Sequence, residues 1–184
     1  MAIALQPAGI DGKFKWGTHM SNCSKRIDID NDYTTLTTNY CGIQQTKAMA
    51  NEEKDLHPAA WQCANYVNVT FIDEFKMEGG YIGYSPTQWF LPSAGEWVLF
   101  LKGLGVWDLR DGSQILSAIK KVYTDAGINS SDAGVVPNFA DGLWTCAEAS
   151  DEQAYVLKID AQNATRFERV GKNVEKQVFP FIYY

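Results

Sequence analysis

Histidine is scarce in this chain, with His19 and His57 the two it carries. A site built from several imidazoles is thereby excluded, and a histidine base for a nucleophile would have to be one of those two. No motif places a nucleophile beside either. The cysteines, Cys23, Cys41, Cys63 and Cys146, form no CxxC pair, so their spacing does not describe a structural zinc site. Two disulfides are compatible with the count and are not implied by it. No apolar run approaches the roughly 20 residues of a membrane-spanning helix. There is no Lys/Arg run either, and the net charge is −6. A nucleic-acid binder normally shows a basic face, so neither nucleic acid nor membrane insertion is expected. Met1 to Ile10 lacks a basic stretch followed by an apolar one, and no signal peptide is expected in it.

Aromatic residues are abundant, with 6 Trp, 9 Tyr and 9 Phe among 184 residues. Such side chains carry core energy, and Trp and Tyr also favour recognition surfaces. Length and a 46% hydrophobic content fit one domain over residues 1–184.

Ala2 to Gln6 reads as a strand, and Lys13 to Trp16 as the return arm of a hairpin across Pro7 and Gly9 to Gly12. Gly17 to Asn39 is polar and reads as a surface loop. Gly42 to Asn51 is helical in pattern, with Ile43, Ala48 and Met49 inside. A second helix over His57 to Val67 starts on Pro58 and turns Ala60, Cys63, Ala64 and Val67 to one face. Asp73 to Ser85 reads as a loop. Ser93-x-x-Glu96 is a capping box for a helix ending near Gly103 and Gly105, with Trp97, Phe100, Leu101 and Leu104 inside. The cap is sufficient by itself to explain both residues. Asp111 or Ser113 caps the next helix, whose inner face is Ile115, Leu116, Ile119, Val122 and Tyr123, with Gly127 past its end. Asn129 to Asp141 is turn-rich. The period then becomes two. Leu143 to Glu148, Ala154 to Ile159, Thr165 to Val170 and Lys176 to Tyr183 read as four strands of a meander, turning at Asp160–Asn163 and Gly171–Asn173. The class expected is α+β, an antiparallel sheet with two to four helices packed on one side. Pairing of the first and last strands would bring the termini close together.

Trp89-Phe90-Leu91-Pro92-Ser93-Ala94-Gly95-Glu96-Trp97 resembles the W-x-L-P-S/T-x-x-E-L/W motif of bacterial C-type-lectin-like domains in surface, fimbrial and phage tail proteins. Other stretches keep the same order: Trp16-Gly17, the A-x-x-C-x-x-Y helix at Ala60 to Tyr66, Gly79-Gly80-Tyr81, Trp144-Thr145-Cys146-Ala147-Glu148, and Ala154 to Leu157. Val178-Phe179-Pro180-Phe181 departs from the family's V-R-P-V/F strand, with Phe179 where the Arg stands. The resemblance spans nearly the whole chain. It implies a C-type-lectin-like fold and, in most relatives, a binding surface without catalysis. Formylglycine-generating relatives need a reactive cysteine pair that the scattered cysteines here do not offer.

The resemblance also implies that the late strands and their loops form the exposed face. In some phage and bacterial members that stretch is varied by diversity-generating retroelements. The expected ligand-binding residues are Trp144, Glu148, Asp151, Glu152, Tyr155, Arg166, Phe167, Glu168, Arg169 and Lys172. If Thr165 to Val170 is one strand, Arg166 and Glu168 face one way and Phe167 the other. No catalytic residue, metal or cofactor is expected. Asp28, Asp30 and Asp32 alternate as calcium ligands can, without the Gly and distal Glu of an EF-hand loop. The expected partner is a cell-surface receptor, protein or glycan, bound from a virion tail or fibre or from a bacterial surface, with self-association open. The alternative is a structural assembly subunit of a fimbria or virion.

Overall fold

The computed structural model describes residues 1–9, 12–18, 33–52, 54–66, 89–128, 136–160, 162 and 165–183. Outside them fall His19, Cys23, the Asp28, Asp30 and Asp32 triplet, Val67, the Asp73 to Ser85 loop with its Gly79-Gly80-Tyr81 step, half of the Asp160–Asn163 connection and most of the Asn129–Asp141 one.

The described elements are β1 (Ala2–Ile3), β2 (Lys13–Lys15), α1 (Tyr33–Thr37), α2 (Gly42–Ala50), α3 (Pro58–Ala64), α4 (Ala94–Gly103), α5 (Gly112–Asp125), β3 (Leu143–Glu148), β4 (Gln153–Lys158), β5 (Arg166–Gly171), β6 (Glu175–Gln177) and β7 (Phe181–Ile182). The class is α+β. One sheet has two strands, β1-β7, and the other five, in the order β2-β6-β3-β4-β5.

The expected N-terminal hairpin does not form. β1 pairs with β7 and β2 with β6, both antiparallel. The backbone between them explains this. Ala4 and Ala8 donate to the carbonyls of Pro180 and Val178, and Val178 donates to that of Gly12. The N-terminal segment thus spends its backbone groups on the C-terminal one, which joins the termini as expected. The long last strand divides into β6 and β7 around Pro180, which has no N–H for a ladder. β6 leaves the meander and lies between β2 and β3, parallel to β3 at Leu143 and Gln177. Only β3, β4 and β5 run as consecutive neighbours.

Every residue of β3 is buried. Along β4, Ala154 and Val156 join a cluster with Trp16, Met49, Ala60, Cys63, Leu91 and Trp144. Leu157 joins Trp97, Leu101, Ile115, Ile119, Tyr123, Leu143, Phe179 and Phe181. Alternate residues of a strand point to opposite faces, so α2 and α3 cover one face and α4 and α5 the other. The helices are not gathered on one side. The second cluster is aromatic at its centre, with Trp97 set against Phe181 at 4.6 Å and Phe139 at 5.8 Å.

The capping box forms as its spacing requires. Glu96 N donates to Ser93 Oγ at 3.2 Å, and Ser93 N donates to Glu96 Oε2 at 2.7 Å. Ser93 Oγ in turn donates to the Asn39 carbonyl at 2.6 Å. A Cβ at Gly95 would stand 2.3 Å from that same carbonyl oxygen. Serine and glycine of the motif therefore serve one purpose, seating the chain at Asn39 against the start of α4. At the end of α5, Gly127 takes φ +78°; Gly127 and Ile128 donate to the carbonyls of Thr124 and Tyr123. That is a Schellman closure, which needs glycine's left-handed freedom.

α1 lies where a loop was expected. Its Tyr-Thr-Thr-Leu-Thr sequence is poor in helix formers. Burial of Leu36 and a bond from Thr38 Oγ1 to the Thr34 carbonyl at 2.8 Å hold the turn. In α2 the buried positions are Gln45, Thr46 and Met49 rather than Ile43 and Ala48. Thr46 Oγ1 accepts from Leu91 N at 2.9 Å, which gives the buried hydroxyl its partner.

Candidate functional site

β5 is the outermost strand of its sheet among the described residues. Its register with β4 sets Arg166 beside Lys158, Glu168 beside Val156, and Arg169 beside Tyr155. The expected alternation holds. Arg166 and Glu168 share one face, where Glu168 Oε2 meets Lys158 Nζ at 2.8 Å and Arg166 Nη1 lies 3.8 Å from Asp160 Oδ2. Arg166 Nε also pairs with Glu168. The Lys158 hydrogen bond and the nearby positive charges hold the Glu168 carboxyl below its ordinary range. Phe167 takes the other face, half-buried against Ala147, Ala149 and Tyr155. Arg169 is exposed and donates from Nε to Tyr155 Oη at 3.3 Å, its guanidinium 5.9 Å from that ring. Tyr155 itself is buried, so it supports Arg169 rather than presenting a ring. Asp151 and Glu152 are exposed on the turn between β3 and β4, which is tied to the end of β5 by Lys172 N donating to the Glu152 carbonyl at 2.9 Å.

Four expected surface residues, Tyr155 among them, lie inside the molecule, and the expectation is corrected for them. Trp144 is 0% exposed; its Nε1 donates to the Phe14 carbonyl at 2.8 Å. It sits on a strand flanked by β6 and β4 and covered by helices on both faces. Glu148 and Lys172 are 1% and 0% exposed and form an ion pair with each other. Lys172 lies past the end of β5, on the turn at Gly171–Asn173, so the strand's alternation no longer governs it.

Around this ion pair is a polar interior that no motif marks. Lys172 Nζ stands 4.9 Å from the centre of the Trp16 ring. The Lys172 carbonyl accepts from Trp16 N at 2.9 Å. His57, also fully buried, meets Trp16 edge-on at 5.7 Å and bonds Glu52 Oε2 through Nε2 at 2.8 Å. His57 Nδ1 is buried without a hydrogen-bond partner among the described residues. Burial pushes the imidazole below its ordinary 6.5, against the pull of Glu52. A cleft of about 290 Å³ opens beside this group, lined by Lys15, Gly17, Thr18, Asp55, Pro58 and Asn173. Each of Lys15, Gly17, Pro58 and Asn173 is the chain neighbour of Trp16, His57 or Lys172.

Trp107 is the exposed residue that the strand pattern could not supply. It is 75% exposed. The segment that carries it reaches the start of β5, where Thr165 N donates to the Leu109 carbonyl at 2.8 Å. Its one signal in the sequence is position: it falls between α4 and α5, on the buried face of neither. An exposed Trp beside a charged outer strand has the character of a contact anchor. The expected residues left at the surface are therefore Asp151, Glu152, Arg166, Glu168 and Arg169, with Phe167 half-buried; Trp107 is a further exposed residue, on the segment bonded to the start of β5. Among the described residues no group of three or more His, Cys, Asp or Glu is placed to hold a metal ion. No described helix is long and apolar enough to cross a membrane.

No family model matches the chain. No curated protein matches it either. Among solved structures it is similar to a fimbrial protein from Bacteroides ovatus ATCC 8483, with a TM-score of 0.61 and 11% identity. The alignment covers 99% of this chain and 35% of that one, so the chain spans about a third of that protein's length. At this identity the likeness is one of fold.

Proposed function

We propose that this chain is a non-enzymatic contact domain of a cell-surface protein of fimbrial type, binding a receptor through β5, the turn between β3 and β4, and Trp107. The observation that carries the reading is the fold shared over nearly its whole length with a fimbrial protein. The motif at Trp89 to Trp97 resembles that of C-type-lectin-like domains, whose members mostly present a surface. The fimbrial neighbour favours a cell surface over a virion as the setting. The exposed Trp107 and the charged outer strand supply the two ingredients of such a contact, an aromatic anchor and polar groups that set orientation.

The second reading is an assembly subunit, in which the same face meets neighbouring subunits instead of a receptor. It is favoured by the same neighbour, because a fimbrial protein is built to assemble.

One experiment separates them. The labelled chain is applied to a glycan array and to cultured epithelial and bacterial cells, beside Trp107→Ala and the triple variant Arg166→Ala/Glu168→Ala/Arg169→Ala. Sedimentation velocity is run on the same samples. Saturable binding lost in folded variants supports receptor recognition. Self-association lost in the variants supports assembly. Binding or association that the variants retain removes this face from the function.

A further inference from the structure

We propose that Lys172 and Glu148 condense, joining Nζ to Cδ in an intramolecular amide that staples the turn after β5 to the end of β3. The inference stands on the buried pair itself and is independent of what the surface binds.

The two groups are an amine and a carboxyl, Lys172 Nζ against Glu148 Oε1, held in contact and away from water. In water an amine and a carboxylic acid remain ionised and do not condense. Here both ions have lost the hydration that holds them ionised in water. An amide removes both charges and keeps the packing. An amine and an acyl carbon aligned within attack distance act at effective molarities on the order of 10⁵ M or more, so confinement of the pair favours the step. The Trp16 ring fixes the nitrogen, with Nζ 4.9 Å from its centre. The turn carrying Lys172 is fixed in its turn by the bonds from Trp16 N to its carbonyl and from its N–H to Glu152.

The step balances without an oxidant or a co-reactant. Proton transfer within the pair leaves a free amine and a carboxylic acid. Nζ attacks Cδ, and the tetrahedral carbon then loses its hydroxyl as water while Nζ gives up a proton. The proton must pass from Nζ to the departing hydroxyl. In the proposed step His57 carries it. It packs on the same Trp16 ring as Lys172, its Nδ1 makes no hydrogen bond among the described residues, and Glu52 orients its other nitrogen. Its protonation responds to the charges of both Lys172 and Glu148. A nucleophile, a histidine and a carboxylate that orients the histidine are the elements of covalent chemistry at a side chain.

The amide would close the segment that holds β4 and β5, so the outer strand could not peel from the sheet by extension of the chain.

Denaturing mass spectrometry of the intact wild-type chain tests the proposal, followed by proteolysis and peptide mapping. The expected mass is that of the sequence less one water, with Glu148 and Lys172 in one branched peptide. A mass equal to the full sequence overturns the proposal, as does loss of water mapped to any other residue. Lys172→Arg is expected at full mass. Glu148→Gln, if it reacts, is expected to lose ammonia in place of water. Both variants depend on folding; the wild-type peptide map decides without them. In His57→Gln, conversion after refolding is expected to slow by about a hundredfold, and an unchanged rate would remove His57 from the step.

Discussion

The Tyr183 hydroxyl donates to Glu96 Oε1 at 2.9 Å, across 87 positions of chain. The same carboxylate accepts from Ser93 N at 2.7 Å and from Gly42 N at 3.3 Å. Glu96 is thus more than half of a capping box. It joins the start of α4, the start of α2 and the last described residue after β7. Tyr183 also stacks on Phe90, with ring centres 5.2 Å apart, and Phe90 exchanges backbone bonds with Phe181. The motif stretch and the C-terminus are one structural unit. Replacing Glu96 by Ala strands three donors at once. At about 1–3 kcal/mol for each buried group left unsatisfied, and with some relaxation, the loss is expected to be about 3–5 kcal/mol. Ser93→Ala is expected to cost about 1–2 kcal/mol, as ordinary caps do. Chemical denaturation of both variants measures the difference; equal losses would show that Glu96 acts only as a cap.

Gly95 and Gly42 are fixed by close approach rather than by backbone conformation. A Cβ at Gly95 would meet the Asn39 carbonyl oxygen at 2.3 Å, and one at Gly42 would fall on the carboxylate of Glu96 and the ring of Phe90. The obstacle at Gly95 is backbone, which cannot swing aside. Gly95→Ala is therefore expected to destabilise by about 2–3 kcal/mol, the upper range for overpacking. Gly103→Ala is the control, since nothing lies within 4 Å of a Cβ there. It is expected to stabilise slightly, because alanine is the better helix former. Thermal melts of the two variants should move in opposite directions.

Much of this architecture can be read from the residues, and the misreadings have definite causes. Period two found β3 at its observed ends, because a strand bounded by Gly142 and the Ser150 turn has little freedom in register. The capping box and Gly127 marked helix ends because each satisfies specific orphaned backbone groups. Strand pairing was legible in part: the β3-β4-β5 meander and the meeting of the first and last strands follow the expectation, whereas the partner of β2 does not. The N-terminal segment could turn back on itself or pair with the C-terminus, and local sequence does not distinguish the two. The candidate surface failed where a strand ended. Arg166, Glu168 and Lys172 share parity, but β5 stops at Gly171, and the chain then turns Lys172 inward. A buried Lys is recognised only with its partner, and Glu148 is distant in sequence. Trp107 belongs to no periodic face, so no pattern marks it.

His57 and Glu96 give stability opposite dependences on pH. Burial lowers the folded His57 below its ordinary 6.5, so the unfolded chain binds the proton more readily. Its contribution is full above about pH 6.5 and is lost as pH falls toward the folded value. Burial raises Glu96 above its ordinary 4.5, against the bonds from Ser93, Tyr183 and Gly42. The folded chain then binds the proton more readily, and stability falls as pH rises from about 4.5 through the folded value. The melting temperature is expected to drop as pH is lowered from 7 through the window just below 6.5. His57→Gln, which keeps a donor toward Glu52, should flatten that drop. A slope that persists in the variant would assign it to other groups.

The ten residues first expected on the binding surface should divide sharply under substitution. Arg166, Glu168 and Arg169 are substantially exposed on the outer strand, and Arg166 and Glu168 pair mainly with their neighbours Lys158 and Asp160. Exposed pairs of this kind contribute about 0–1 kcal/mol. The triple alanine variant is expected to unfold within about 1 kcal/mol of wild type, and Trp107→Ala within about 0.5 kcal/mol, as surface substitutions do. Trp144→Ala removes a fully buried indole packed with Trp16, Met49, Cys63 and Leu91, and its bond to the Phe14 carbonyl. Its cost is expected at about 3–5 kcal/mol. Guanidinium denaturation of the three proteins tests this division. It also decides whether binding lost in the surface variants can be read as a lost contact. A triple variant as unstable as Trp144→Ala would mean that β5 is a structural strand first, and its charges would have to be reassigned to holding the sheet edge.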